Sequence, residues 1–318
     1  MTITGDAYLS YTNDLLLKVQ NPKQTGFADR WANIGSTKGW GWELGVSSRN
    51  IATQRFSWRT DITLSHNNSV VTDIGADYDQ VATFSSGHMI YGYKVGYPVN
   101  ALWGYKFCGV WHNAEEREAN QATHAYVSYQ NANGYSKYAD VNHDGVLDND
   151  DLLYQGSSDP IVFGGIQNTF TLGQLSLGVY FTYSIGGYIY NLSEFNLGSA
   201  IANTNKYRYM IDCWHPVRNP EGNLPGAYMQ DSYRSDRYIH DASYLRLKSL
   251  SVSYTLDLSK KVKWAKDITF SAYVDNLFLI TGYNGYDPDI SSSSSVRRLD
   301  NAAYPNPRTY MFSIKFRY

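Results

Sequence analysis

The chain has 318 residues, with 27 Lys+Arg against 29 Asp+Glu and a formal net charge of −2. That balance excludes a nucleic-acid binder, because phosphate contacts need a clear basic excess, and 18 % charged residues beside 15 % aromatics exclude a disordered composition. Two cysteines, Cys108 and Cys213, are too few for a disulfide scaffold or a four-cysteine zinc site and leave one disulfide between them open.

No stretch approaches the ~18 consecutive apolar residues of a membrane helix. The start, Met1-Thr2-Ile3-Thr4-Gly5-Asp6, lacks the basic and apolar regions of a signal peptide and leads straight into a strand-like pattern. From there the dominant signal has period 2. Apolar residues recur at alternate places in Trp40, Trp42, Leu44 and Val46, in Phe56, Trp58, Ile62 and Leu64 with Thr60 at the one polar step, and in Leu175, Val179, Phe181 and Tyr183. Leu250, Val252, Tyr254 and Leu256 alternate with Ser249, Ser251, Ser253 and Thr255. The parity breaks after Leu245 and Leu247, which predicts a β-bulge near Lys248. Ile268, Phe270, Ala272 and Val274 follow, then Tyr310, Phe312, Ile314, Phe316 and Tyr318. Roughly ten such segments, each near the ~10 residues of a tilted membrane-spanning strand, predict an all-β, antiparallel chain.

The links come in two lengths. Short ones sit at Asn50–Thr53, Gly96–Asn100, Leu172–Gln174 and Ser259–Lys261; long ones at Asn21–Arg30, Thr72–Ser86, Asn113–Asp159, Asn191–His240 and Gly282–Pro305. Their alternation puts tight turns at one rim and long loops at the other, the plan of an outer-membrane β-barrel. Amphipathic antiparallel strands also build soluble sandwiches. Against that reading, the polar faces are mostly Ser, Thr, Gly and Asn rather than Lys and Glu. Tyr and Trp also cluster near strand ends at Trp40, Trp42, Tyr91, Tyr93, Trp103 and Tyr105, where an interfacial girdle would sit.

The sharpest motif is Asp140–Asp151. It fits the calcium-loop template D-x-[DN]-x-[DN]-G, and Ca2+ needs about 6–8 oxygen ligands. The side chains of Asp140, Asn142, Asp144 and Asp151, the Val146 carbonyl, and Asp148 directly or through water would supply them. Asp replaces the usual Glu at the last position, so the expectation is a structural staple in a long loop; the alternative is an Asp/Asn-rich solvated turn. Seven scattered histidines form no metal-ligand spacing, and no nucleophile elbow or phosphate loop occurs, so no enzyme is expected. Trp111, Trp214, Tyr228, Tyr233, Tyr283 and Tyr286 lie in the long loops among polar residues. Such a mixture suits sugar or peptide ligands, or packing of loop against loop.

Several segments, in order, resemble SusC/RagA-type TonB-dependent outer-membrane transporters. They are Asn33-Ile34-Gly35 with Gly39-Trp40-Gly41-Trp42-Glu43, Gly96-Tyr97-Pro98 with Trp103-Gly104-Tyr105, the Asp140–Asp151 loop, and Gly164-Gly165-Ile166-Gln167-Asn168. The most specific are Asp241-Ala242-Ser243-Tyr244-Leu245-Arg246-Leu247-Lys248, Asp275-Asn276-Leu277-Phe278, Gly285-Tyr286-Asp287-Pro288 and Tyr304-Pro305-Asn306-Pro307-Arg308. The resemblance implies a transmembrane barrel of about 22 strands behind an N-terminal plug, with residues 1–318 as its C-terminal part and 140–151 as a segment within an extracellular loop. Phe316-Arg317-Tyr318 resembles the aromatic C-terminal signal of such barrels. The resemblance further implies import of glycans or peptides with a SusD-like lipoprotein, and coupling to TonB through a region outside this chain. Two other readings stand beside it: an extracellular, calcium-stabilised β-sandwich that binds glycans, and a small pore closed by these strands alone.

Overall fold

The computed structural model describes residues 1–20, 26, 29–75, 80–85, 89–120, 132–198, 204–227, 229, 233–259, 264, 266–292 and 296–318. Three long strands open it: β1 (Thr2–Gln20), β2 (Asp29–Ala52) and β3 (Phe56–Asp73). Six short ones follow: β4 (Gln80–Ser85), β5 (Met89–Lys94), β6 (Ala101–Gly104), β7 (Phe107–Val110), β8 (Ser136–Tyr138) and β9 (Leu153–Ser157). Next come β10 (Val162–Leu172) and β11 (Leu175–Ile185), then β12 (Tyr188–Asn191) and β13 (Ile239–Asp241). Two further long strands, β14 (Tyr244–Asp257) and β15 (Asp267–Thr281), precede β16 (Leu299–Asp300) and β17 (Thr309–Arg317).

Eight of these form one antiparallel sheet in the order β1-β2-β3-β10-β11-β14-β15-β17. Its register shows why the alternating sequence makes a membrane wall. Phe170, Leu177, Val252, Ala272 and Phe312 stand side by side across five strands. One residue along, on the opposite face, Thr171, Ser176, Ser253, Ser271 and Ser313 form the matching row. One more step returns to the first face with Leu172, Leu175, Tyr254, Phe270 and Ile314. Because directly paired residues share a face, one side of the sheet is an apolar band and the other a hydroxyl-rich wall. The band is open, with Phe270 45 % and Ile314 58 % exposed. A sandwich would bury that face under a second sheet; here it has the outward apolar character of a barrel wall.

The short-turn rim is made by three connections. Thr53 closes the β2–β3 turn, its hydroxyl accepting the Phe56 N–H at 2.9 Å. Gly173 takes a left-handed φ of 55° between β10 and β11, a conformation glycine adopts without steric cost. The third turn joins Asp257 to Asp267. The expected bulge is present: pairing of β14 with β15 jumps from Leu247 to Ser249, and Lys248 Nζ reaches Asn276 Oδ1 at 3.3 Å.

All long connections leave from the other rim. The sheet has eight strands rather than ten, because residues between β3 and β10 make a single excursion instead of crossing the membrane twice more. Strands β5 and β6, six and four residues long, are too short to span a bilayer. They join β4 and β9 in a small sheet, with Gly96–Asn100 as its internal link. Tyr91, Trp103 and Tyr105, expected in an interfacial girdle, are therefore buried in this loop layer. Its two larger cores among the described residues are aromatic: Trp103, Tyr105, Tyr138 and Tyr233 with Leu147 and Leu152, and Ile90, Tyr91, Leu102, Tyr190, Tyr238 and Leu299. No helix of the described residues is long and apolar enough to cross a membrane. Strands β1 and β17 are the edges of the sheet and do not pair with each other, so these strands do not close a pore by themselves.

Candidate functional site

The long-loop layer holds the residues the sequence singles out. The Asp140–Asp151 turn leaves β8 and ends in a 3-10 turn at Asn149–Asp151. Asp140 sits at its centre, buried, and accepts the N–H of His143 and of Gly145, both at 2.7 Å. Asn142 accepts from Asp144 N at 3.1 Å, and Asp144 from Val146 N at 2.8 Å. Asp151, also buried, closes the ring by accepting from Val141 N at 2.7 Å and Asp148 N at 3.1 Å. Gly145 takes φ 82°, which the sixth position of such a turn requires of glycine. The donor set is all oxygen and suits a hard cation, but the carboxylates are turned onto the loop's own N–H groups. Among the described residues no three His, Cys, Asp or Glu side chains gather as a ready metal cluster.

Beside this turn, helix α1 (Ala114–Ala119) starts at Asn113, whose side chain accepts the Glu116 N–H at 2.7 Å. Glu116 is clamped from two sides, by the His112 N–H at 2.9 Å and by the Lys137 ammonium. Burial alone would raise its pKa, but these partners outweigh that and hold it down to about 2. His112 also places Nε2 at 3.3 Å from the Gly222 carbonyl, tying two loops together.

The aromatic candidates divide. Trp111, Trp214, Tyr233 and Tyr283 are packed inside the layer, whereas Tyr286 is 77 % exposed; Tyr228 lies outside the described residues. Tyr283 donates to Asp300 Oδ2 at 2.6 Å, and burial pushes its phenol far above the usual range. Cys108 and Cys213 are both free thiols. Among the described residues, His240 meets Glu194 at 2.6 Å and His66 meets the Ile161 carbonyl at 2.6 Å.

What sequence reading alone did not assemble is a clamp that joins three separate motifs. Arg246 on β14 reaches Asp287 Oδ1 at 2.5 Å with both side chains almost fully buried. Asp287 also accepts the Asp289 N–H at 3.0 Å and the Asn306 side-chain amide at 2.9 Å. Burial would raise the Asp287 carboxyl, but Arg246 and these N–H groups hold it below the usual range. Asn276 extends the same network, donating to the Pro307 carbonyl at 2.9 Å. The signal in the sequence is that Arg246, Asp275-Asn276, Asp287 and Asn306 each lie in a segment of the stated resemblance.

A scan against protein-family models finds no match. Among curated proteins, the chain is 30 % identical, over 95 % of its length, to the TonB-dependent receptor P26 of Formosa agariphila, and covers 31 % of it. It is 24 % identical over 99 % of its length to the TonB-dependent receptor SusC of Bacteroides thetaiotaomicron, covering 30 % of that protein. The chain thus spans about a third of the length of the curated relatives it matches. Among solved structures, the RagAB peptide transporter superposes with a TM-score of 0.78 over 99 % of this chain and 33 % of the solved one, at 21 % identity; that likeness concerns the fold. These relatives are receptors and transporters rather than enzymes. The strand-built wall, the loop layer over one rim and the matched sequence make the chain similar to about a third of the TonB-dependent receptors P26 and SusC, a class of outer-membrane proteins.

Proposed function

We propose that the chain is the C-terminal barrel section of an importer that carries a glycan or a peptide across the outer membrane. Energy arrives through TonB by way of the plug region, and a SusD-like surface lipoprotein forms the lid over the long-loop rim. The observation that carries this reading is the sheet itself. It has an apolar outer band and a Ser/Thr inner wall, with all long loops at one rim and edges available to further strands. In this reading the Arg246–Asp287–Asn306 clamp fixes the loops that meet substrate or lid, and exposed Tyr286 is the contact among the aromatic candidates. The Asp140–Asp151 turn holds one Ca2+ as a staple, supported by its template spacing and its oxygen-only donors; Asp140, Asn142, Asp144, Asp148, Asp151 and the Val146 carbonyl are the residues that would hold it.

The test compares cells producing the full-length protein with cells lacking its gene, for accumulation of fluorescent oligosaccharides and peptides with and without a proton-motive force. The expected result is loss of accumulation of one class in the deletion strain, and the same loss when the proton-motive force is dissipated. Equal accumulation of both classes in both strains contradicts the reading.

A further inference from the structure

A cleft of about 280 Å3 opens where the long-loop rim meets the sheet. His66, Asn67 and Asn68 of β3, Tyr154 of β9, Tyr188 of β12 and Asp241 of β13 line it. Its place follows from strand parity. His66 shares a face with Ile62 and Leu64, which belong to the apolar band, and its ring stacks on Trp42 with centroids 6.1 Å apart. Ile161, also in the lining, is exposed. The cleft therefore opens on the lipid side of the wall, at the level where Trp and Tyr mark the membrane–water interface.

Its chemistry is specific. Tyr188 lies against Gly156, where any Cβ would come within 2.5 Å of the ring, so glycine is what lets the tyrosine take this position. Tyr154 and Tyr188 are both partly open to solvent. Neither their hydroxyls nor the amide of Asn68, which shares the His66 face, has a hydrogen-bond partner among the described residues. Asp241 spends one oxygen on the Ser243 N–H at 2.6 Å and keeps the other. His66 faces the Ile161 carbonyl with Nδ1, which sets that nitrogen as the donor and leaves Nε2 as an acceptor.

Aromatic surface beside amide, carboxylate and imidazole groups with unused hydrogen-bonding capacity matches a sugar ring, which has an apolar C–H face and a rim of hydroxyls that donate and accept. A phosphate finds both nearby guanidinium groups among the described residues engaged, Arg297 with Asp159 at 3.0 Å and Arg298 with the Gly186 carbonyl at 3.1 Å and the Ser184 hydroxyl at 2.6 Å. An acyl chain would leave the polar groups unsatisfied. The volume falls just under the ~300–1,000 Å3 of drug-sized sites, room for a ligand on the scale of one ring. We propose that this cleft binds a sugar ring, and its lipid-side position makes the headgroup of an outer-leaflet glycolipid the source. The site stands apart from the import reading, since it faces away from the hydroxyl-rich wall.

The test uses full-length protein in nanodiscs containing a monoglucosyl diacylglycerol with a photoreactive group on its sugar, and separately soluble methyl glucoside with the same group. Crosslinks are mapped by mass spectrometry. Attachment at Tyr154 and Tyr188 is expected from the lipid, falling about tenfold in Tyr188→Ala. Asn68→Leu, which keeps the strand and the side-chain size, should fall by a similar factor and guards against a folding defect in the tyrosine variant. Capture of the lipid but not of the soluble sugar supports the glycolipid. Equal capture of methyl glucoside upholds the sugar cleft and overturns its lipid source. Capture of neither probe, or capture unchanged in both variants, overturns the proposal.

Discussion

Arg246 and Asp287, 41 residues apart in sequence, form a buried ion pair of 2.5 Å between a strand of the wall and the loop above it. Two charges taken out of water are tolerated only when their remaining hydrogen-bonding capacity is filled. Here Asn306 and the Asp289 N–H fill the carboxylate side. The pair thereby fixes the Tyr286 loop and the segment leading into β17 on the end of β14. Removing one partner strands the other. Asp287→Ala should destabilise the folded barrel by about 3–5 kcal/mol, read as a lower unfolding midpoint in the heat-dependent gel mobility of the full-length protein. Asp287→Asn, which keeps the shape and some hydrogen bonds, should cost less; equal losses in the two variants would show that charge plays no part.

The same carboxyl gives a pH dependence with a definite sign. Its pKa is depressed in the folded state, so its contribution is present above the unfolded value and is lost as pH falls through the folded one. Glu116 behaves alike with a stated endpoint: from an ordinary 4.5 it is held at about 2. The His112–Glu116–Lys137 tie should persist down through pH 4 and let go only near pH 2. Titration of the Glu116 side-chain carboxyl by 13C NMR checks this, and Lys137→Gln should move the midpoint back up toward 4.5. A midpoint near 4.5 in the unaltered protein would contradict the clamp.

Phe270 and Ser271 are neighbours on β15 that point to opposite faces. A charge on the lipid face costs about 2–4 kcal/mol at the midplane, while lumen positions tolerate it. Phe270→Lys should therefore lower stability in lipid vesicles by that amount in a urea titration, and Ser271→Lys should change it little. The reverse order would mean that the faces are assigned backwards.

For the Asp140–Asp151 turn, the double variant Asp140→Ala, Asp144→Ala should abolish bound calcium measured by elemental mass spectrometry on the purified, dialysed protein. The same variant should lower protection of β8 and the Asn149–Asp151 turn from hydrogen exchange. Calcium content unchanged by the substitutions would sink the staple.

The wall was legible in the sequence because a half-lipid, half-hydrated sheet writes its register as period 2, and even the bulge at Lys248 shows as a break in parity. The loop layer was not, because the same aromatic alternation in Tyr91, Trp103 and Tyr105 serves a buried core as well as a membrane girdle. Strand length, not residue type, separates the two. The Arg246–Asp287 pair could not be read either, since nothing in a linear sequence states which loop folds back onto the end of β14. The Asp140–Asp151 turn was legible in spacing, while the inward orientation of its carboxylates depends on side-chain geometry that spacing does not determine.

The central claim is that the face carrying Phe270, Val274, Ile314 and Phe316 meets lipid. Carbene photolabelling from a lipid-dissolved diazirine, mapped by mass spectrometry on the full-length protein in native membranes, tests it directly. The account predicts label on those four residues and on Val252, with Ser253, Ser271 and Ser313 clear. Label spread evenly over both rows, or absent from Phe270 and Ile314, would contradict it.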